Sequence, residues 1–309
     1  MPSSLRHCLT LEEFSPEEIY DLLVLAEKVK RNPSKYGKSL AGQCLAMIFD
    51  KSSTRTRVSF EVGMEQLGGH ALFLNGSELQ LGRGEDVADT AKVLSRYVQG
   101  IMIRTFTDKT AENFAAHASV PVINGLTDGH HPCQALADFL TLLEKFKRLS
   151  KIQLVFVGDG NNVAHSLMIG AALLGVHLKV VCPMGYAPGR EILAWAQKKG
   201  RQTGARIEVI HTVKGSVKGA DVVYTDVWTS MGQEREREKR LRDFQGFQIN
   251  EELMSQSPKA IFLHCLPAHR GEEVSAGVID GKRSAVWDQA ENRLHSQKAL
   301  LITLMGKKL

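Results

Sequence analysis

Short apolar runs alternate with stretches of helical spacing through most of this 309-residue chain. The apolar runs predict strands at residues 44–49, 70–74, 100–104, 120–124, 152–157, 178–182, 207–210, 221–225 and 260–263. The helical spacing predicts helices at residues 19–29, 58–67, 90–97, 132–146 and 189–199, and others that end at Leu174, begin at Val213 and end near Met305. Strands that alternate with helices favour parallel sheets of the α/β class, and this length favours two domains. A charged stretch at residues 145–151 is the predicted boundary.

Composition removes several function classes. The net charge is +5, but the basic residues are scattered, so a nucleic-acid partner is not expected. The five cysteines are an odd number and form no Cys-x-x-Cys pair, which predicts reduced thiols and no zinc site. The N-terminus has no apolar leader and no run is long enough to span a bilayer, so we expect a cytoplasmic protein without a membrane partner.

An anion site is predicted where the first strand gives way to a helix. Residues 50–57 read Asp-Lys-Ser-Ser-Thr-Arg-Thr-Arg. Free backbone N–H groups and the helix dipole favour anions at such a terminus, and the hydroxyl and guanidinium groups add donors suited to phosphate. The alternative interpretation is a capped surface helix that carries two arginines by chance.

Two further candidates follow later strands of the first half. Arg104 ends the strand at residues 100–104, and ligands of open α/β sheets bind beyond such ends, although a salt-bridge role is the alternative. His131 precedes Pro132, a favourable first residue for a helix, so a neutral imidazole that polarises a carbonyl oxygen is predicted. Gln134 lies one turn further on; a capping role for His131 stays open.

The second half begins with a turn that resembles a dinucleotide-binding fingerprint. Residues 158–163 read Gly-Asp-Gly-Asn-Asn-Val, but Val163 stands where the third glycine belongs. The next strand is followed by Pro183, not by an acidic residue that would hold a ribose. The pattern therefore favours the fold without NAD, and Asn161 and Asn162 become candidate partners for a carboxylate or amide.

Strand ends in the second half carry the remaining candidates. Asp226 could bind an ammonium group, with Ser230 on the same loop. The charged residues 233–242 predict a solvated, mobile helix or loop, and we expect the segment 226–242 to close over a substrate. Cys265, beside His264, is a possible nucleophile or a packing residue, and Arg293 is a third possible anion contact.

Four motifs together resemble those of the carbamoyltransferases. Residues 53–57, Ser-Thr-Arg-Thr-Arg, resemble the Ser-x-Arg-Thr-Arg signature of that family, and residues 131–134 resemble its His-Pro-x-Gln element. Residues 226–232, with Ser-Met-Gly at their end, and residues 264–267, His-Cys-Leu-Pro, are similar to the ornithine branch in particular. The aspartate branch would show a Pro-Leu-Thr-Arg-like element in the last position.

The resemblance implies two Rossmann-like α/β domains, each with a central parallel sheet flanked by helices. Residues 1–147 would bind carbamoyl phosphate, residues 148–287 would bind ornithine, and a C-terminal helix at residues 288–309 would pack back on the first domain. The implied reaction transfers the carbamoyl group of carbamoyl phosphate to the side-chain amine of L-ornithine, giving L-citrulline and phosphate in arginine metabolism. The family implies a homotrimer and calls for no cofactor or metal.

The resemblance also assigns individual residues. The implied catalytic residues are Arg104, His131 and Cys265. Those implied to bind carbamoyl phosphate are Ser53, Thr54, Arg55, Thr56, Gln80, Arg104, His131, Pro132, Cys133, Gln134, Cys265, Leu266 and Arg293. Those implied to bind ornithine are Asn162, Asp226, Ser230 and Met231. Gln80 would reach the phosphate of a neighbouring subunit.

Two alternatives stay open. A related enzyme could use another amine, such as putrescine or a modified ornithine. A non-catalytic binding protein could use the same scaffold, although it would not need Arg55, Arg104, His131 and Cys265 together. The motifs do not encode the direction of the reaction in the cell, or assembly beyond a trimer.

Overall fold

The computed structural model describes residues 5–80, 84–230, 232 and 234–306 of the chain. These residues form two compact units. The first comprises the described residues up to Leu140 together with those from Glu291 onward, and the second comprises Thr141–Ala290. No helix among the described residues is long and apolar enough to cross a membrane.

The first unit is built on a four-stranded parallel sheet. Its strands are β1 (Cys44–Phe49), β2 (His70–Asn75), β3 (Gly100–Arg104) and β4 (Val122–Leu126). Its helices are α1 (Pro16–Arg31), α2 (Pro33–Tyr36), α3 (Thr54–Gln66), α4 (Val87–Tyr97), α5 (Asp108–His117) and α6 (Pro132–Phe146), the last of which continues into residues of the second unit. A short 3₁₀ turn covers Gly76–Glu78.

In the strand order β2-β1-β3-β4, the topological switch point of this sheet lies between β1 and β3. Ligands of open parallel sheets bind at such a switch point, beyond the carboxyl ends of the strands. Phe49 at the end of β1 pairs with Arg104 at the end of β3, and the N–H of Asp50 donates to the carbonyl of Arg104 at 2.9 Å. The predicted anion loop and Arg104 therefore meet at one sheet edge. Beneath them, Ile48 and Ile103 are fully buried in an apolar cluster.

The second unit is built on a five-stranded parallel sheet. Its strands are β5 (Gln153–Val157), β6 (His177–Val181), β7 (Ile207–Ile210), β8 (Val222–Thr225) and β9 (Ile261–His264). Its helices are α7 (Asn162–Leu174), α8 (Arg190–Thr203), α9 (Arg237–Asp243), α10 (Glu251–Ser255) and α11 (Ala276–Ile279), and α12 (Val286–Met305) has residues in both units. A 3₁₀ turn covers Glu234–Glu236.

In the strand order β7-β6-β5-β8-β9, the topological switch point of the second sheet lies between β5 and β8. The loop after β5 carries Asn161, and the residue after β8 is Asp226. Both sheets are parallel throughout, as the alternating pattern predicts, and their inner strands are almost wholly buried, which explains why those strands read as continuous apolar runs.

Some predicted elements differ from the structure. The segment from Val213 forms turns instead of a helix, because Gly215 and Gly219 adopt φ of +74° and +77°, which a right-handed helix does not accommodate. The strand predicted at residues 120–124 begins at Val122, since Pro121 lacks the N–H that a strand interior requires. Helix α5 and the short helices α2, α10 and α11 were not predicted.

Candidate functional site

The N-terminus of α3 presents the predicted anion loop. Ser53 is the N-cap, and its hydroxyl accepts a hydrogen bond from the N–H of Thr56 at 3.1 Å, so the helix begins four residues earlier than the apolar spacing predicts. Thr54 is exposed, Arg55 is half-buried and Thr56 is buried. The terminus therefore combines a helix dipole with hydroxyl groups at the topological switch point of the first sheet.

A buried arginine cluster adjoins this terminus. Arg104 donates from Nη1 to Oγ1 of Thr56 at 3.4 Å, and Arg293 donates from Nη2 to the same oxygen at 3.1 Å. Arg293 also donates from Nη1 to Oε1 of Gln134 at 2.8 Å. Gln134 in turn donates from Nε2 to Asp138 at 2.8 Å, which fixes its amide orientation. Residues far apart in sequence thus form one network beside the helix terminus.

The electrostatics of this network favour an anion. Burial, with the charges of Arg293 and Arg55 as smaller causes, lowers the pKa of Arg104 to about 10. Burial, followed by the charges of Arg293, Arg104 and Arg55, holds the pKa of His131 well below its usual value. His131 is therefore a neutral imidazole near pH 7, as predicted, although burial and the arginines are the causes and not the helix terminus alone. Several guanidinium groups at a buried site repel one another, and a bound phosphate would relieve that repulsion.

Three other residues predicted near this site lie outside the arginine network. Arg57 turns to the surface, where it donates to Glu61 at 3.0 Å and lies 3.7 Å from the centre of the Phe73 ring, so it adds no donor to the cluster. Gln80 is exposed. The Cys133 thiol is buried, donates to the carbonyl of Asn124 at 3.4 Å and has its pKa raised to about 11 by burial. Cys133 can therefore contribute through its backbone and not through its thiol.

Sequence reasoning missed two supporting residues. Lys51 is 7% exposed, pairs with Asp128 and lies 4.6 Å from the centre of the Phe106 ring. Asp138, which holds Gln134, lies on α6 four positions later and is 1% exposed. Its spacing from Gln134 was a usable signal, because residues four apart on a helix share a face.

The second unit presents a carboxylate at the topological switch point of its sheet. Asp226 is 6% exposed and accepts hydrogen bonds from Nδ2 of Asn161 at 2.8 Å, from the thiol of Cys265 at 2.9 Å and from the N–H of Val227 at 2.8 Å. The Asn161 side chain also caps α7, because its Oδ1 accepts from the N–H groups of residues 163 and 164. The Asn161 amide therefore holds Asp226, and Asn162 is the first residue of α7.

A buried arginine on α9 holds the loop after β8. Ser230 is half-buried, while Met231 lies outside the described residues. Arg240 on α9 is 6% exposed and donates to Asp159 at 2.6 Å and to the carbonyl of Trp228 at 3.0 Å. The prediction that residues 233–242 form a wholly solvated run is wrong at Arg240, whose burial is stabilised by an ion pair that sequence does not display.

Three possible metal ligands cluster in this unit. The ligand atoms of Asp226, His264 and Cys265 lie within 4.8 Å of one another. His264, however, accepts the Leu266 N–H at Nδ1 at 2.9 Å and has Nε2 3.1 Å from Glu273, so both ring nitrogens are already engaged. Two ligand atoms would then remain, fewer than the three protein ligands typical of a catalytic zinc site.

Both halves of the chain match a known protein family. Residues 6–144 match the family described as aspartate/ornithine carbamoyltransferase, carbamoyl-P binding domain, and residues 150–304 match its Asp/Orn binding domain. The "ornithine carbamoyltransferase" of Bacillus anthracis is 56% identical over 96% of this chain and 93% of its own length. The "ornithine carbamoyltransferase, anabolic" of Pyrococcus furiosus is 53% identical over 97% and 96%.

The chain is also similar to solved structures of this family. The chain superposes on an ornithine carbamoyltransferase from Pyrococcus furiosus with a TM-score of 0.95 and 52% identity, covering 98% of each chain. The match extends over both sheets, and the residues matched by the carbamoyl-P binding description include the helix terminus and most of the arginine cluster. The chain therefore belongs to the aspartate/ornithine carbamoyltransferase family.

Proposed function

We propose that this chain transfers the carbamoyl group of carbamoyl phosphate to the side-chain amine of L-ornithine, giving L-citrulline and phosphate. The observation that carries the proposal is the buried cluster of Arg104 and Arg293 around Thr56, beside a neutral His131. That cluster suits a phosphorylated, uncharged acyl group. The relatives named ornithine carbamoyltransferase, at more than 50% identity, support the amine acceptor.

The phosphate of carbamoyl phosphate would bind at the N-terminus of α3. Ser53, Thr54, Arg55 and Thr56 supply its donors, because backbone N–H groups and hydroxyls converge there beside a guanidinium group. Arg293 contributes from α12. This arrangement holds a dianion with fixed dipoles and positive charge.

The carbamoyl group would lie against the inner part of the same cluster. Arg104 and neutral His131 donate to its carbonyl oxygen, and Gln134, oriented by Asp138, meets its amide. Pro132 and Cys133 would line this part through their backbone atoms. Donors aimed at the carbonyl oxygen stabilise it most when it carries the negative charge of the tetrahedral intermediate.

Ornithine would bind in the second unit. Asp226, Ser230 and Met231 on the loop after β8, with Asn162 on α7, would hold the α-amino and α-carboxylate groups. Cys265 and the carbonyl of Leu266 would lie near the side-chain amine. The three hydrogen bonds that Asp226 accepts keep its carboxylate in place before substrate arrives.

The chemistry then needs positioning and charge stabilisation. The ornithine side chain must lose its ammonium proton before it can attack, and a desolvated site favours the neutral amine. The amine nitrogen bonds to the carbamoyl carbon, a tetrahedral oxyanion forms, and the carbon–oxygen bond to phosphate breaks. One of the two remaining amine protons leaves with phosphate, whose charge the arginines offset, and the other stays on the nitrogen of citrulline. We expect residues 226–242 to close over ornithine during this step.

We also propose the domain roles and the assembly. Residues 1–147 with the helix at 288–309 would form the carbamoyl-phosphate domain, and residues 148–287 the ornithine domain. A homotrimer would cover exposed apolar side chains of this region, which are Val58 and Val62 on α3 and Leu72 and Phe73 on the edge strand β2. Gln80 would reach the phosphate site of the neighbouring subunit. The biosynthetic direction is favoured by the relative named anabolic.

The test is citrulline formation from carbamoyl phosphate, with ornithine, aspartate and putrescine supplied separately. Turnover with ornithine alone supports both substrate sites. Turnover with another amine would keep the phosphate-site assignments and discard the ornithine-site ones. An absence of turnover with every amine, in a protein that binds phosphate, would favour the binding-protein alternative. Arg104→Gln is the matched variant that should abolish turnover while the protein stays folded.

A further inference from the structure

A buried carboxylate and imidazole stand behind the Cys265–Leu266 turn. The side chains of His264 and Glu273 are both fully buried, and Nε2 of His264 lies 3.1 Å from Oε1 of Glu273. Neither residue is among those that the family resemblance assigns to a substrate. Burial of a carboxylate costs free energy of folding unless the group is paired and hydrogen-bonded.

The hydrogen bonds determine which ring nitrogen of His264 carries the proton. The N–H of Leu266 can only donate, and it lies 2.9 Å from Nδ1 of His264, so Nδ1 is unprotonated. Nε2 then carries the proton and donates to Glu273. The same Glu273 oxygen accepts the N–H of His269 at 2.5 Å, so this carboxylate joins both ends of the segment 264–269.

The Leu266 backbone needs this support. Its φ is +59°, in the left-handed region that a branched, non-glycine residue seldom occupies. Such a conformation persists where surrounding contacts over-determine it. The bond from the Leu266 N–H to His264 is one such contact, and it fixes the turn that directs the Cys265 thiol to Asp226 at 2.9 Å. The backbone of His264 is itself held, because its N–H donates to Gln289 at 2.9 Å.

We propose that Glu273 and His264 are positioning residues that hold the Cys265–Leu266 turn in the conformation required at the side-chain amine of the acceptor. Glu273 fixes the His264 tautomer, and His264 holds the Leu266 amide. A carboxylate that orients a histidine in this way keeps the ring in one tautomer and one rotation, as in hydrolase triads and around metal-binding histidines. The proposal rests on the proposed function, since the amine is that of ornithine.

The test compares two variants of similar size at position 273. Glu273→Gln keeps an oxygen that can accept from both His264 and His269, whereas Glu273→Met fills the same space without an acceptor. We expect Glu273→Gln to stay within about threefold of the wild-type kcat. We expect Glu273→Met to lose about 10- to 100-fold in kcat with ornithine, the range found when an outer partner of a metal-binding histidine is removed. Exposed Glu252 on α10, changed to Gln, is the control and should behave as wild type.

A second measurement separates positioning from general damage. L-Norvaline has the carbon skeleton, α-amino group and α-carboxylate of ornithine but no side-chain amine. Its inhibition constant should change less than twofold in Glu273→Met, and so should the KM for carbamoyl phosphate. His264→Asn, whose Oδ1 can replace Nδ1 as acceptor for the Leu266 amide, should retain more activity than His264→Leu.

Several results would overturn the proposal. A folded Glu273→Met variant with a kcat within threefold of wild type would do so. Parallel losses in norvaline inhibition, carbamoyl-phosphate KM and melting temperature would also do so, because they indicate a packing role. The proposed function is decided separately by wild-type turnover. If the wild type makes no citrulline, the rate of Cys265 alkylation by iodoacetamide, followed by peptide mass, decides whether Glu273 and His264 hold the Cys265–Leu266 turn. That rate should change at least fivefold in Glu273→Met and stay unchanged in Glu273→Gln.

Discussion

Arg293 on α12 donates to the amide oxygen of Gln134 at 2.8 Å, although 159 positions separate the two residues. The same guanidinium donates to Thr56 at 3.1 Å. A planar group with several fixed donors can hold both partners and still face an anion, whereas a lysine has one point charge. Arg293 therefore joins three separate parts of the chain at the proposed carbamoyl-phosphate site.

Arg293→Lys should thus lower kcat/KM for carbamoyl phosphate by about 10- to 100-fold, the effect of losing one to two charge-assisted hydrogen bonds. The measurement is initial velocity against carbamoyl phosphate at saturating ornithine. Arg31→Lys is the control, because Arg31 in the same unit is exposed and pairs with Glu27 on the surface. Equal behaviour of the two variants would remove Arg293 from the site.

The neutral state of His131 has a consequence for stability. Its pKa in the folded protein lies well below the usual value, mainly because it is buried. The unfolded chain therefore binds a proton that the folded chain does not. The stabilisation is complete above the unfolded pKa of about 6.5 and is lost as the pH falls below it.

The change to test is His131→Gln. As the pH falls from about 6.5 to 5, the free energy of unfolding of the wild type should fall faster than that of His131→Gln, by a difference in slope that rises toward about 1.4 kcal/mol per pH unit. Urea titrations at several pH values measure the difference, and the comparison cancels the other histidines. Identical pH slopes in the two proteins would mean that His131 has the same pKa in the folded and unfolded chain, so that the fold does not hold it neutral.

Much of the first site could be predicted because its residues follow strand ends. The strands of a parallel sheet end at the same edge, so residues 50–57 and Arg104 could be assigned to one edge from the sequence, and the strand order then shows that β1 and β3 are neighbours. The neutral His131 was also predicted, but its main cause, burial beside arginines, depends on packing that sequence does not show. The roles of the individual site residues stay predictions.

Long-range polar pairs were the part that sequence could not provide. Arg240 lies in a run of charged residues and reads as solvated, yet it is buried against Asp159, which is 81 positions away. Glu273 was passed over for a similar reason, because an acidic residue in a loop is usually exposed. The partner decides burial in such pairs, and single-sequence patterns contain no information on partners.

The Arg240–Asp159 pair predicts how the loop after β8 is held. Arg240→Met should leave Asp159 as an unpaired buried carboxylate, at a cost of about 3–5 kcal/mol in the free energy of unfolding. Because Arg240 also donates to the Trp228 carbonyl, the variant should raise the KM for ornithine more than that for carbamoyl phosphate. Arg242→Met on the same helix, at an exposed position, is the control.

Adding Asp159→Asn to Arg240→Met should recover part of the lost stability, since the unpaired charge is then gone. The double variant should still bind ornithine weakly, because the bond to Trp228 is not restored. Full recovery of ornithine KM in the double variant would show that Arg240 acts on Asp159 alone and does not fasten the loop.

Cys265 allows a direct test of its chemical role. Its thiol donates to Asp226 at 2.9 Å, and a serine hydroxyl can donate in the same way. Cys265→Ser should therefore keep turnover within about tenfold of wild type, or 1.4 kcal/mol in activation free energy. Cys265→Ala, which removes the donor, should lose more. A loss beyond about a thousandfold in Cys265→Ser would instead indicate a thiol nucleophile.

The proposed trimer can be tested through Gln80, which would act on the phosphate site of a neighbouring subunit. Gln80→Ala and Arg104→Gln should each be nearly inactive alone. Mixed trimers, formed by joint refolding or co-expression, contain some sites that combine an intact Arg104 with an intact neighbouring Gln80. Such mixtures should therefore regain activity, up to about a quarter of wild type when the two subunits are equal in amount and associate at random. Phe73→Glu, at an exposed apolar residue of the edge strand β2, should block both assembly and this rescue, as light scattering would report. Failure of the mixture to exceed the activity of either parent, with trimers present, would place Gln80 outside the neighbouring site.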